Sequence, residues 1–203
     1  MVDVDHIGVR PKISGNPDQA MMKVARAVCP TVSADYGELK RRDDYQAAVD
    51  NKTENNWGAI TGIWEGYADD EGVRFKGSSG GALTALSQYC LEKMNFHGVL
   101  HTGENINDPI RNRTRLSLSR DELVAAVGSR YSPASVCDGL QMVEDAPSPC
   151  VVSGKPVEVA ATRNAMRHRP ELATKVGVTM SFFCAETPPT KATRSLISTL
   201  KVV

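Results

Sequence analysis

Residues 150–165 read CVVSGKPVEVAATRNA. The first three residues form an apolar run with two adjacent valines, followed by Ser153 and Gly154. Pro156 then stands where a helix would begin, and there its missing N–H costs nothing and its fixed φ suits the first turn. A buried strand that feeds straight into a helix is half of a βαβ unit. The same pairing recurs on either side. HGVLHTG, 97–103, reads as a short apolar strand. It is followed by the helix SRDELVAAVG, 119–128, with Ser119 as N-cap, Glu122 as its capping-box partner and Gly128 as the stop. VGVTMSFFC, ending at Cys184, is the last strand, and TKATRSLISTL, 190–200, the last helix. The alternation predicts an α/β fold: a mostly parallel or mixed sheet with helices on both faces, plus a small irregular N-terminal segment. In such sheets ligands sit at the carboxyl ends of the strands, in the loops that enter the helices.

Upstream the pattern is less regular. Residues 1–15 form an irregular or extended lead, and PDQAMMKVARAVCP, 17–30, a short helix started by Pro17 and Asp18 and ended by Cys29-Pro30. The polar stretch 40–56 is an exposed helix or a loop. WGAITGIWEGYA, 57–68, is rich in β-formers, holds both tryptophans and reads as a strand. A helix is expected from Ser79 to about Met94, with Leu83, Leu86, Tyr89, Cys90 and Met94 on its buried face. Two units follow: an N-terminal lead with helix and polar linker, 1–56, and an α/β domain, 57–203.

The chain has 203 residues, with 24 Lys plus Arg against 24 Asp plus Glu. That balance makes no electrostatic case for nucleic acid or an anionic membrane. No apolar run approaches the roughly 18 residues of a membrane span. The first 15 residues lack the basic start and apolar core of a signal peptide, so a cytoplasmic location is expected. Five widely spaced cysteines without a CxxC argue against a disulfide framework or a self-contained zinc site. The four histidines show neither HxH nor HExxH spacing.

Three strand-to-helix loops could carry chemistry. In KGSSGGA, Lys76, Gly77, Ser78, Ser79, Gly80, Gly81 and Ala82, glycines permit close backbone approach, serines offer hydroxyls, and a helix start favours an anion. The stretch lacks the GK[ST] ending of a P-loop and the spacing of GxGxxG or GxSxG, so a phosphate cradle and a plain glycine turn both stay open. GSRYSPAS, 128–135, offers Ser129, Arg130 and Tyr131 to an anionic or planar ligand, or is a structural turn with a surface Arg. SGKPVE presents Gly154, Lys155 and Pro156 at a helix start, and there a solvated lysine is the alternative.

Taken in order, RFKGSSGGALTALSQYCLEK, LSRDELVAAVGSRYSPAS, SGKPVEVAATRNA and SFFCAETPP resemble the β-subunit family of coenzyme F420 hydrogenases and dehydrogenases. Its usual forms are SSGGxxTAL, GSxYxPS, GxPCxxAALR and FCxGxPS. The resemblance implies a flavoprotein that holds FAD and usually iron–sulfur clusters. Such a protein passes electrons or hydride between a redox partner (a hydrogenase or dehydrogenase subunit, or a ferredoxin-like carrier) and coenzyme F420 or a similar small substrate. It implies that residues 76–82 lie against the FAD phosphates. Ser129, Arg130, Tyr131, Gly154, Lys155 and Pro156 would line the rest of the pocket, while the flavin supplies the chemistry. Cys29 and Cys184 keep family cysteine positions and are the implied metal ligands. Val157 stands where the family places a cluster cysteine, which counts against an intact 4Fe–4S cluster. Glu186 and Pro189 replace the usual Gly and Ser of the last motif, and the family's C-terminal portion is expected to be absent. Two other readings stay beside this one: a non-catalytic binding or assembly module of the same fold, and a phosphate-ligand enzyme of another class.

Overall fold

The structure is a computed structural model and describes residues 2–4, 8–32, 62–184 and 187–201. The polar stretch 40–56, residues 57–61 and Glu186 lie outside the described residues.

The lead forms a small antiparallel pair, β1 (Val2–Val4) and β2 (Gly8–Arg10), before helix α1 (Gln19–Val28). Asp18 caps α1 by accepting from the Met21 N–H at 2.7 Å, as the sequence leads one to expect. Next come α2 (Glu71–Lys76), a 3-10 turn (Ser78–Gly81) and α3 (Ala82–Glu92). The main sheet is built from β3 (Val99–Glu104), β4 (Asn112–Ser117), β5 (Cys150–Gly154) and β6 (Val176–Ser181). Around these lie α4 (Arg120–Ala125), a 3-10 turn (Val136–Gly139), α5 (Leu140–Glu144), α6 (Pro156–Met166), α7 (Pro170–Lys175) and α8 (Thr190–Leu200).

Strand order is β4-β3-β5-β6, with β3, β5 and β6 parallel and β4 antiparallel to β3. The sheet is therefore mixed. Because side chains alternate across a strand, β5 serves two cores at once. Cys150 and Val152 join Leu100, Val136, Leu140, Val143 and Leu172 on one face. Val151 joins Val99, Cys90 and Leu123 on the other. Every residue of β5 is buried, which explains its continuous apolar run.

Two expectations are corrected. Of the stretch 57–68 read as a strand, the described part, 62–68, contains none. Gly62 and Gly66 break it, and the Trp64 ring folds back so closely that a Cβ on Gly62 would meet it at 2.2 Å. The segment instead ends by docking on the glycine loop, where the Ala68 N–H donates to the Gly80 carbonyl at 2.7 Å. The buried face of α3 is also only in part the apolar stripe: of the expected residues Cys90 is buried and Leu83 half-buried. Leu86, Tyr89 and Met94 are exposed, while Ser87, Gln88 and Cys90 are buried. Small Ser87 lets α3 close onto the sheet, its hydroxyl 3.8 Å from the Met180 sulfur. No helix among the described residues is long and apolar enough to cross a membrane.

Candidate functional site

Parallel strands end on the same side, so the carboxyl ends of β3, β5 and β6 (Glu104, Gly154 and Ser181) share one edge of the sheet. The three loops meet at that edge. Ser78 Oγ lies 2.6 Å from Ser129 Oγ, joining the glycine loop to the second loop across 51 residues of chain. Lys155 Nζ donates to the Ala134 carbonyl at 3.1 Å, joining the third loop to the second. A double-mutant cycle of Ser78→Ala and Ser129→Ala should return a coupling of about 0.5–1 kcal/mol in thermal unfolding, the size of one partly solvated hydrogen bond.

The glycines of the first loop answer to their own packing. Ser79, Gly80 and Gly81 run in succession through the left-handed region, at φ 51°, 67° and 69°. A Cβ on Gly80 would meet the Tyr67 Cβ at 2.8 Å, and one on Gly81 the Val73 carbonyl oxygen at 2.7 Å. The cluster is thus a turn that packs tightly under Tyr67 and Val73, and this accounts for its composition whether or not a ligand is near. The turn leaves Lys76, Ser78 and Ser79 exposed and starts α3 at Ala82 without any side-chain cap. Arg120 secures the arm by pairing with Asp70, the N-cap of α2, and reaching Glu92 at 3.5 Å. The Val73 N–H first, and then Arg120, hold the Asp70 carboxyl below the usual carboxylate range.

The second loop is held by side chains from elsewhere. Asn112, at the start of β4, donates through Nδ2 to the carbonyls of Arg130 (3.3 Å) and Ser132 (3.1 Å) and accepts from Arg130 Nε at 2.8 Å. Thr114 Oγ1 donates to the Ser135 carbonyl at 2.6 Å. Tyr131 is left 71% exposed at the tip. Pro133 packs against Gly8 of the N-terminal pair, where a Cβ would come within 3.2 Å of the proline ring. A polar cleft of about 240 Å³ runs beside this loop, lined by Asn105, Arg111, Arg113, Ser135 and Asp138 among others.

The third loop turns on Glu158, a residue the sequence reading did not single out. Its buried carboxylate accepts the Lys155 N–H at 2.8 Å and the Val136 N–H at 3.2 Å, and lies 3.2 Å from Lys155 Nζ. The Lys155 ammonium is therefore occupied within the protein, between Glu158 and Ala134. Gly154 is required because a Cβ there would meet Glu158 Oε2 at 2.8 Å. The Glu three residues after Lys155, with Pro at the first helical turn, is the one sequence signal that could have found it. Asn112 carried no such signal.

The two cysteines that the resemblance implies as metal ligands do not assemble a site among the described residues, where no group of three or more His, Cys, Asp or Glu comes together. Cys29 ends α1 with its sulfur 3.0 Å from Thr31 Oγ1, and that hydroxyl holds its thiol below the usual range. Cys90 and Cys150 are buried in the two cores, and burial pushes Cys137 up to about 11. Val157, half exposed, offers no ligand. Four thiolates for an iron–sulfur cluster do not come together among the described residues. Alkylation of the native protein near neutral pH should therefore label Cys29 well before Cys90, Cys137 and Cys150, as peptide mass mapping would read. Labelling of Cys137 at a comparable rate would contradict its buried thiol form.

Residues 63–141, which include the glycine loop and the second loop, match the family model described as coenzyme F420 hydrogenase/dehydrogenase, beta subunit N-term. Over these residues the chain is similar to that family. The coenzyme F420 hydrogenase subunit beta of Methanosarcina barkeri (strain Fusaro / DSM 804) is 28% identical over 140 residues, which cover 63% of this chain and 45% of that protein. A solved structure of the F420-reducing NiFe hydrogenase complex from Methanosarcina barkeri, a xenon derivative, superposes with a TM-score of 0.59 at 24% identity. That match covers 65% of this chain and 47% of the other. At that identity the superposition shows the shared α/β fold. The chain thus spans a little under half the length of the family relatives it matches.

Proposed function

We propose that the chain binds FAD at the carboxyl edge of its sheet. It would act as a β-subunit-like oxidoreductase component, passing electrons or hydride between a partner subunit or ferredoxin-like carrier and coenzyme F420 or a similar small redox substrate. The observation that carries this reading is the 2.6 Å contact between Ser78 and Ser129. It brings two loops that carry family motifs into one surface, where ligands of open α/β sheets bind.

The donor set fits such a cofactor. Ser78 and Ser79 present hydroxyls beside a helix start with no side-chain cap, suited to phosphate oxygens. Lys76 adds an exposed positive charge at the end of α2. Arg130 and Tyr131 offer a cation and an exposed ring to the remainder. Gly154 and Pro156 keep the third loop close, and Lys155 acts there by tying the second loop down. When bound, the flavin would supply the redox chemistry, and the protein's part is to hold and orient it. Purified protein should carry, or take up, about one flavin per chain, read from its absorption spectrum and a flavin count. Protein that stays colourless in excess FAD would overturn the reading and favour a module that kept the fold without the cofactor.

A further inference from the structure

Arg130 is the most constrained exposed cation on the site edge. Its Nε donates to Asn112 Oδ1 at 2.8 Å and its Nη2 to the Pro109 carbonyl at 2.9 Å. Both partners can only accept in these contacts, and Asn112 uses its amide nitrogen on the carbonyls of Arg130 and Ser132. One asparagine thus fixes the guanidinium and the backbone that carries it, and its orientation is unambiguous because its oxygen meets a pure donor and its nitrogen pure acceptors. No hydrogen bond to Nη1 is formed by the described residues. In the chain Arg130 directly follows Ser129, the residue that meets Ser78. Lys155, by comparison, has its ammonium between Glu158 and Ala134. The nearest opposing charge to Arg130 is Glu104, whose Oε1 lies 4.0 Å from Nη2 and whose side chain is half exposed.

We infer that Asn112 is a positioning residue and that the Arg130 guanidinium it holds is a pre-organised seat for an anionic oxygen group, phosphate or carboxylate, at the mouth of the site. A guanidinium held by two hydrogen bonds loses little further freedom when it engages an oxyanion through its remaining N–H groups. Glu104 opposes the same anion and so tunes the seat. The proposal rests on the three-loop site described above, but not on the guest being a flavin.

The probes are inorganic pyrophosphate and, separately, FAD, titrated into the full chain at low ionic strength. Binding is read from the ¹H–¹⁵N signals of the arginine side chains and from isothermal titration. In the free protein the Arg130 Nε–H should give a slowly exchanging signal that is lost in Asn112→Ala. Arg130→Gln should weaken pyrophosphate about tenfold or more, and Asn112→Ala by several-fold. Adding Asn112→Ala to Arg130→Gln should weaken it no further, because Asn112 acts through Arg130. Glu104→Gln should strengthen binding several-fold, a gain that a purely structural Arg130 would not produce. A fast-exchanging Arg130 Nε–H, or pyrophosphate affinity unchanged in Arg130→Gln, overturns the seat even if FAD binds. Pyrophosphate binding that depends on Arg130, in a protein that rejects FAD, overturns the flavin reading and leaves the seat standing.

Discussion

Glu158→Ala is expected to destabilise the protein by about 3–5 kcal/mol, the cost of breaking a buried hydrogen-bonded ion pair from one side. Three groups lose their partner at once: the Lys155 N–H, the Val136 N–H and the Lys155 ammonium. Each orphaned backbone donor costs about 1–3 kcal/mol if water cannot reach it. The Lys155 side chain is one-quarter exposed and can turn to solvent, which places the effect towards the low end of the range. Glu158→Gln keeps an acceptor oxygen but loses the charge, and should fall between the alanine variant and the parent. Chemical denaturation of the three proteins measures this directly. The loss should also loosen the second and third loops together, since Glu158 holds one end of each. A Glu158→Ala variant within 1 kcal/mol of the parent would mean that the two loops are not tied through this carboxylate.

Gly81→Ala should cost about 2–5 kcal/mol, combining left-handed backbone strain of roughly 1–2 with overpacking of roughly 1–3. The residue has φ 69°, and the added Cβ would fall 2.7 Å from the Val73 carbonyl oxygen and 3.0 Å from the Val73 side chain. That carbonyl is not free to move. It accepts the Gly77 N–H at 2.8 Å and so closes α2. Gly80→Ala makes the informative comparison. It meets the Tyr67 Cβ at 2.8 Å and Cα at 3.3 Å, atoms that move only with their backbone, but that backbone belongs to an exposed segment outside any helix or strand, so the cost should be smaller although its φ is nearly the same. Equal losses in the two variants would show that the backbone region alone decides the cost. A difference would show that contact with Val73 adds to it.

Much of the fold was legible from local pattern. CVVSG could only be a strand buried on both faces, because its apolar run is continuous and short and stops at a glycine before a proline. Ser119 and Asp18 announced their helices by capping chemistry, and both caps are formed, Ser119 Oγ accepting from the Glu122 N–H at 3.3 Å. The family motifs stood in order in the chain and pointed to the three loops that the structure brings to one edge.

Other elements were hidden for physical reasons. β4 reads NRTRLS, with two arginines and an asparagine, and lacks an apolar alternation because it is an edge strand, where polar residues are tolerated. The apolar stripe of α3 misled in part because Leu86 and Tyr89 face outward, while the contact with the sheet is made by Cys90 and the small Ser87. Residues 62–68 carry strand-forming side chains, yet strand pairing needs a partner, and this segment instead ends on the glycine loop through Tyr67 and Ala68.

By itself, then, the sequence determined the succession of β5 and β6 with the helices that follow them, the capped helix starts at Asp18 and Ser119, and the place of the third loop at a strand end, since each follows from side-chain period, capping or backbone freedom within a few residues. The glycine loop and the second loop instead follow helices. Only the tertiary structure decided that Gly80 and Gly81 answer to Tyr67 and Val73, that Lys155 reaches Ala134, and that Asn112 fixes Arg130. Those relations join residues on different elements, most of them separated by more than a dozen positions. No local period records a contact that exists only once the sheet has brought its loops together.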